Sequence, residues 1–306
     1  MTFADIPESV IDHVRRVFAA ANEKVARTLS DHPSMHEEML DQTLITELTV
    51  APSAFFAGEQ AAVVIESHWL GGRRMWGRWE IADIALVVLL RRGGHLVLRK
   101  VALLQTKRLY SKEVAVEELG PDDYMIGIGR LGDRTGHAMP LTVQRGFSFD
   151  EQSVYGALHA GSKQMDRIDA YEQARHIPVF YAFYNPQTLP FRATYPPLDG
   201  AGSVASNLLG TRVQTSAHVH GHLATLPAGA APSFGGLKDA ASSAIGDPFA
   251  ASGWRLENFV ADEVLRCRQG TLFDGSADMN LERLFYARSA PIMAAIAITI
   301  EVGGGG

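Results

Sequence analysis

The run Ile81–Leu90 is apolar at every position except Asp83, and this constrains the fold more than any other feature. A strand with one face in water alternates apolar and polar side chains, whereas one that is apolar on both faces must be covered on both. His95–Gln105 turns apolar again after Arg99-Lys100, and Arg91-Arg92-Gly93-Gly94-His95 between the two runs is a hairpin signal. Ala61–Trp69, Val179–Tyr184 and Met293–Val302 read as further strands. Helices must therefore supply the covering layers. Val10, Val14, Val17, Phe18, Ala21, Val25 and Leu29 recur at three- and four-residue steps and predict an amphipathic helix over Pro7–Leu29. Ser34 and Glu37 have the spacing of a capping box, predicting a second helix to Leu48 that buries Met39, Leu40, Leu44 and Leu48. A long helix is expected over Glu151–His176, ended by Pro178. The order helix, three strands, helix, strand predicts a mixed α/β layer architecture.

This order divides the chain into an N-terminal helix (1–33), a core (34–190) and a C-terminal extension (191–306). The core carries a polar, Gly-containing insertion at about 113–148, and the extension is loop-rich with a Gly, Ala, Ser and Pro texture up to residue 253. A composition of 46% hydrophobic residues excludes a disordered scaffold. The single cysteine, Cys267, excludes an internal disulfide and a Cys-rich zinc module. With no signal-peptide pattern at the start, a cytoplasmic protein is expected. The apolar stretches Ile84–Leu90 and Pro291–Ile300 fall short of the roughly 20 residues that span a bilayer, so no membrane partner is expected.

The net charge of −6 is unevenly distributed. Ten Lys or Arg lie between Glu66 and Lys112 against three acids, giving +7 there and −13 elsewhere. Such a basic island is what local phosphate contact requires, and a solvated face on edge strands would look the same. Arg73, Arg74, Arg78 and Arg108 are its candidate nucleic-acid contacts, with Trp69, Trp76 and Trp79 beside them as candidate base-stacking groups.

Asp83 opens the first apolar strand, and Gln105 and Lys107 close the second. A three-residue hairpin loop, or a bulge, sets Asp83 directly opposite Gln105. A plain two-residue loop pairs Asp83 with Leu104 and turns Gln105 to the other face. Gln105 and Lys107, two apart, project from one face. The residue types suit phosphodiester hydrolysis. Mg²⁺ (or Mn²⁺) takes one or two carboxylates with neutral oxygens and water, so Asp83 would supply the anionic ligand and the Gln105 amide oxygen or the Thr106 carbonyl the neutral one. Lys107 would orient or deprotonate the attacking water and stabilise developing charge.

Asp83 and Gln-x-Lys (Gln105 to Lys107) on consecutive strands after a Glu-bearing helix resemble the PD-(D/E)XK nuclease superfamily, in the Gln variant of Mrr-type restriction endonucleases. Glu80-Ile81-Ala82-Asp83-Ile84 with Leu104-Gln105-Thr106-Lys107-Arg108-Leu109-Tyr110 is similar to a bacterial group reading roughly "GAD…QAKRL". Gln164–Tyr171 and Pro178–Asn185 follow in that group's order, and Ile81-Ala82 departs from its Gly-Ala. The resemblance spans about Met35 to Asn185. It implies a restriction-endonuclease-like core, an Mg²⁺-dependent endodeoxyribonuclease acting on double-stranded DNA, a role in defence against phage or foreign DNA, and a homo-oligomer as one possible assembly. It also implies a metal-binding glutamate on the preceding helix. Glu37 and Glu38 compete for that role, and Glu38 is preferred because Glu37 has a capping role. Gln164 is implied as a substrate- or water-positioning residue.

Two other readings remain. The same fold without catalysis would serve as a nucleic-acid or partner platform. His218, His220 and His222 alternate like ligands on one strand face, and with Gln214 the run resembles the histidine-triad nucleotide hydrolases, with His220 as nucleophile. Gly221 stands where that pattern has an apolar residue.

Overall fold

The strand over Ala82–Arg92 is buried along almost its whole length, and the computed structural model arranges the rest of the molecule around it. Residues 6–70, 80–114, 145–195, 208–238, 247–273 and 292–303 are described. Helices α1 (Glu8–Asp31) and α2 (Glu37–Thr49) precede strands β1 (Ala54–Phe56), β2 (Ala61–Trp69), β3 (Ala82–Arg92) and β4 (His95–Arg108). Then come β5 (Lys112–Val114), β6 (Arg145–Phe149), α3 (Lys163–Arg175), β7 (Val179–Tyr184), β8 (Phe191–Tyr195), β9 (Arg212–Thr215) and α4 (Ser216–Leu223). The described chain closes with β10 (Trp254–Arg255), a turn α5 (Leu256–Asn258) that continues as a π-helical turn over Phe259–Val264, β11 (Thr271–Phe273) and β12 (Ile292–Val302). No helix among the described residues is long and apolar enough to cross a membrane.

The main sheet runs β1-β2-β12-β3-β4-β7-β9-β10 and is mixed but largely antiparallel. The parallel pairs are β12 with β3 and β4 with β7. β11 pairs with β4 at Arg99–Val101, and β7 pairs with β4 further along at Leu103–Arg108. β5, β6 and β8 form a separate three-stranded sheet, in which β5 and β6 flank the insertion, whose residues 115–144 lie outside the described residues. The fold is thus α/β, as the apolar runs predict. α1 buries Val10, Val14, Phe18, Ala21, Val25 and Leu29, the expected stripe.

The structure departs from expectation in several places. β12 is inserted between β2 and β3, so the last strand belongs to the centre of the sheet, and β9 extends it beyond β7. Strands from beyond residue 190, β9 to β12, therefore belong to the main sheet. α2 begins at Glu37 behind His36 with no side-chain cap bond, so Ser34 and Glu37 do not form a capping box, and Met39 is exposed rather than buried. The long helix shrinks to Lys163–Arg175, capped by Ser162 after Gly161 at φ +71°. Upstream, the backbone of Ser153, Tyr155 and Ala160 is bonded instead to Phe234, Pro232 and Ala230. Residues 151–162 thus form a run of turns with isolated bridges at Val154, and Tyr155 and Leu158 are buried.

β9 is anchored by a buried ion. Arg212 donates through Nη1 and Nη2 to the two oxygens of Asp247 at 2.5 and 3.1 Å, and through Nε to Leu209 O at 2.9 Å. The fork matches the carboxylate geometry and offsets the loss of hydration. Asp247→Ala strands the guanidinium in the core, and chemical denaturation is expected to show a loss of about 3–5 kcal/mol.

Candidate active site

The β3–β4 hairpin turns through Gly93 and Gly94, whose φ values of +55° and +79° suit a two-residue turn. Arg92 faces His95 and Arg91 faces Leu96, but Leu90 faces Leu98. Val97 is therefore the extra residue of a β-bulge, and the ladder beyond it pairs Ile84 with Leu104. Asp83 comes opposite Gln105 in this register. Three donors converge on Asp83 Oδ2: Gln105 Nε2 at 2.5 Å, the Thr106 amide at 2.7 Å and the Thr106 hydroxyl at 2.9 Å. In the parallel β4–β7 pair, Tyr181 stands beside Gln105 and Tyr184 beside Arg108.

α2 covers the face that carries Thr106 and Tyr184. Asp41 Oδ1 accepts from the Tyr184 hydroxyl at 2.6 Å, and Asp41 Oδ2 from the Thr106 hydroxyl at 3.1 Å. One turn earlier, Glu37 Oε1 accepts from Lys107 Nζ at 3.1 Å and Oε2 from the Arg108 amide at 3.0 Å. The i,i+4 spacing brings both acids to one helix face. Burial pushes the Asp41 carboxyl well above the ordinary range, and the Asp83 charge adds to this. Burial likewise raises Glu37 against the pull of Lys107. Burial works against the Lys107 ammonium, yet Glu37, Asp83 and Asp41 hold its pKa above the usual lysine value. Three carboxyl groups and one ammonium thus share a poorly hydrated space.

The sequence favours Glu38 as the helix acid, but Glu38 is exposed, and Glu37 holds Lys107. Asp41 has no place in the sequence expectation. Its one signal is an acid between Leu40 and Leu44 on the buried stripe of α2. Asp83, Gln105 and Lys107 come together, but not on one face as their spacing suggests. Gln105 accepts from Gln164 Nε2 on α3 at 3.3 Å, whereas the long Lys107 stem carries its charge round to α2. The Thr106 carbonyl, expected as a ligand, accepts from Lys107 Nζ at 2.7 Å.

Arg108 does not form an open phosphate contact. It is 7% exposed, donates to Pro33 O at 2.9 Å and stacks 3.8 Å from the Tyr110 ring centroid. Lys100 is also buried, donating to Val264 O. Part of the basic island is therefore interior. Arg73, Arg74, Arg78, Trp76 and Trp79 lie outside the described residues, and Trp69 is exposed. The histidine run is not a strand. Its residues form α4, where a 100° step turns His220 away from His218 and His222. His220 is buried between Asp169 Oδ1 at 2.7 Å and the Tyr181 hydroxyl at 2.9 Å, and His218 Nε2 lies 3.3 Å from Leu237 O. The shared histidine face of a triad is absent.

Among the described residues, no three His, Cys, Asp or Glu side chains are grouped so as to cage a metal ion. The donor chemistry nevertheless suits a cation held by two carboxylates. A hydroxyl has one proton, so Thr106 can donate to only one of Asp41 and Asp83. If both carboxyls are charged a hard divalent cation would relieve the pair, and without one a proton retained on Asp41 does so, in line with its raised pKa. No family profile, curated protein or solved structure matches the chain.

The acid cluster has a consequence for stability. A carboxyl whose folded pKa is raised contributes most below its unfolded value, about 3.9 for aspartate, and that contribution is lost as pH rises through the shifted range. Asn at position 41 keeps an acceptor for Tyr184 and carries no charge. Asp41→Asn is expected to be more stable than the wild type at pH 7 by on the order of 1 kcal/mol or more, the usual cost of a buried polar group left short of partners. The difference should close below about pH 4 in a denaturation series, where the wild-type carboxyl is neutral in both states.

Proposed function

We propose that this chain is a metal-dependent nuclease that hydrolyses phosphodiester bonds, with DNA as the substrate implied by its resemblance to Mrr-type enzymes. The observation that carries the reading is the register that sets Asp83 against Gln105, with Lys107 two residues further along the same strand and two acids of α2, the buried Asp41 and the partly buried Glu37, above them. Asp83 and Asp41 would hold Mg²⁺ or Mn²⁺, with Gln105 as a neutral ligand. When bound, the cation would supply Lewis acidity and a more acidic water. Glu37 keeps Lys107 charged and oriented. A charged lysine serves as an electrostatic anchor for a phosphate oxygen and for developing negative charge, rather than as the base that takes the proton from water. A role in defence against foreign DNA follows from the resemblance alone.

One observation favours a second reading, the inactive platform of the same fold. Lys107 is already paired with Glu37, and Asp83 accepts from Gln105 and Thr106, so both groups have protein partners without a ligand. Plasmid nicking in Mg²⁺ or Mn²⁺ separates the two. Asp83→Ala and Lys107→Ala are each expected to lose about 10²-fold or more in rate, while Glu38→Ala retains activity. Salt-sensitive DNA binding without nicking would support the platform.

A further inference from the structure

Gln105 is bonded at both ends of its amide. Its nitrogen donates to Asp83 Oδ2 at 2.5 Å, and its oxygen accepts from Gln164 Nε2 at 3.3 Å. A primary amide has one donor end and one acceptor end, so these contacts define which end faces the carboxylate. The residue is 2% exposed, so water is a poor substitute for either partner. A hard divalent cation takes oxygen donors and is repelled by an N–H. In this orientation Gln105 therefore satisfies Asp83 and is not a ligand. The terminal torsion of a glutamine is broad and roughly two-fold, so turning it over preserves the shape of the side chain. The turn brings Oε1 beside Asp83 and sends Nε2 toward α3, where an acceptor is then required.

Gln164 meets that requirement. It is half-buried in the first turn of α3, next to the Ser162 cap, and its own amide offers an acceptor as readily as a donor. We propose that Gln105 and Gln164 form a coupled amide pair that turns over in concert between a cation-free and a cation-binding arrangement. Gln164 is the positioning residue that sets the cost of the change. The inference rests on the reading of Asp83 as a cation ligand, and it supplies the regulation of that site. Asp83 decides the direction: alone it demands a donor from Gln105, and with a cation bound it demands an oxygen. Gln164 answers either state, so the amide is satisfied at both ends of the switch. A side chain at 164 that only accepts would compete with Asp83 for the Gln105 N–H and shift the pair toward the cation-binding arrangement before any cation arrives.

The test is nuclear magnetic resonance on the full chain with labelled glutamine side chains and Mg²⁺ as the probe, the Gln105 signal being identified by its loss in Gln105→Glu. Without Mg²⁺, the Gln105 amide protons are expected to show nuclear Overhauser contacts to the Thr106 amide proton, which shares Asp83 Oδ2. On Mg²⁺ saturation those contacts should be replaced by contacts to Gln164. In Gln164→Glu, whose carboxylate competes with Asp83 for the Gln105 N–H, the second pattern should be partly populated without Mg²⁺, and Gln105 contacts unchanged from the wild type would overturn the coupling. If Mg²⁺ shifts the Asp83 and Thr106 signals but the Gln105 contacts to Thr106 persist, the switch is wrong while the cation site stands. If Mg²⁺ leaves Asp83 and Thr106 unmoved, the cation site itself is wrong and the switch falls with it.

Discussion

The arrangement depends on one extra residue, Val97, in the hairpin between β3 and β4. A two-residue Gly-Gly turn alone would bring Asp83 opposite Leu104 and point Gln105 away from it, because a one-residue slip reverses every side chain. The bulge after Leu90 restores the register. With Asp83 beside Gln105, the parallel strand β7 aligns Tyr181 and Tyr184 with the same end of the sheet. α2 then closes over Thr106, and α3 approaches Gln105 from the opposite face. The site lies across the end of the sheet, with acids contributed from one side and amides from the other.

Charge in this region is not balanced for stability. Among the described residues Glu37, Asp41 and Asp83 face one close ammonium, Lys107, and burial raises two of the acids above their ordinary range. Tyr184 is itself held neutral by burial beside Asp41. Burial also lowers the pKa of Arg212, but there a bidentate carboxylate and several carbonyls accept from the whole guanidinium. Uneven compensation of this kind is characteristic of sites that meet a charged ligand.

Much of this is legible in the residues. β2 and β7 have the predicted bounds, and β3, β4 and β12 agree to within a few residues at either end. The Asp83–Gln105 pairing requires an odd loop or a bulge, and the bulge is present. What escapes sequence reasoning is set by long-range packing. β12 joins between β2 and β3, and no local pattern records which neighbour a buried strand will choose. Ser34 has the look of a cap, which favours Glu38 over Glu37 as the inward acid. The helix starts later, so Glu37 is released from capping and turns inward. Asp41 is hard to see because an acid on an apolar stripe reads as an interruption until its partners, Tyr184 from a distant strand and Thr106, are known. The histidines alternate like strand residues, yet Thr215 caps a helix by accepting from the His218 amide, and the helix rotates them apart.

On the proposed reading, Asp83 and Asp41 bracket a divalent-cation position at the end of the β3–β4 hairpin. Anomalous scattering from a crystal soaked in Mn²⁺ tests this most directly. A single strong peak is expected in coordination contact with Asp83, facing Asp41 and Thr106, and it should disappear in Asp83→Ala. A well-ordered site with no peak, or Mn²⁺ bound elsewhere and indifferent to Asp83, would contradict it.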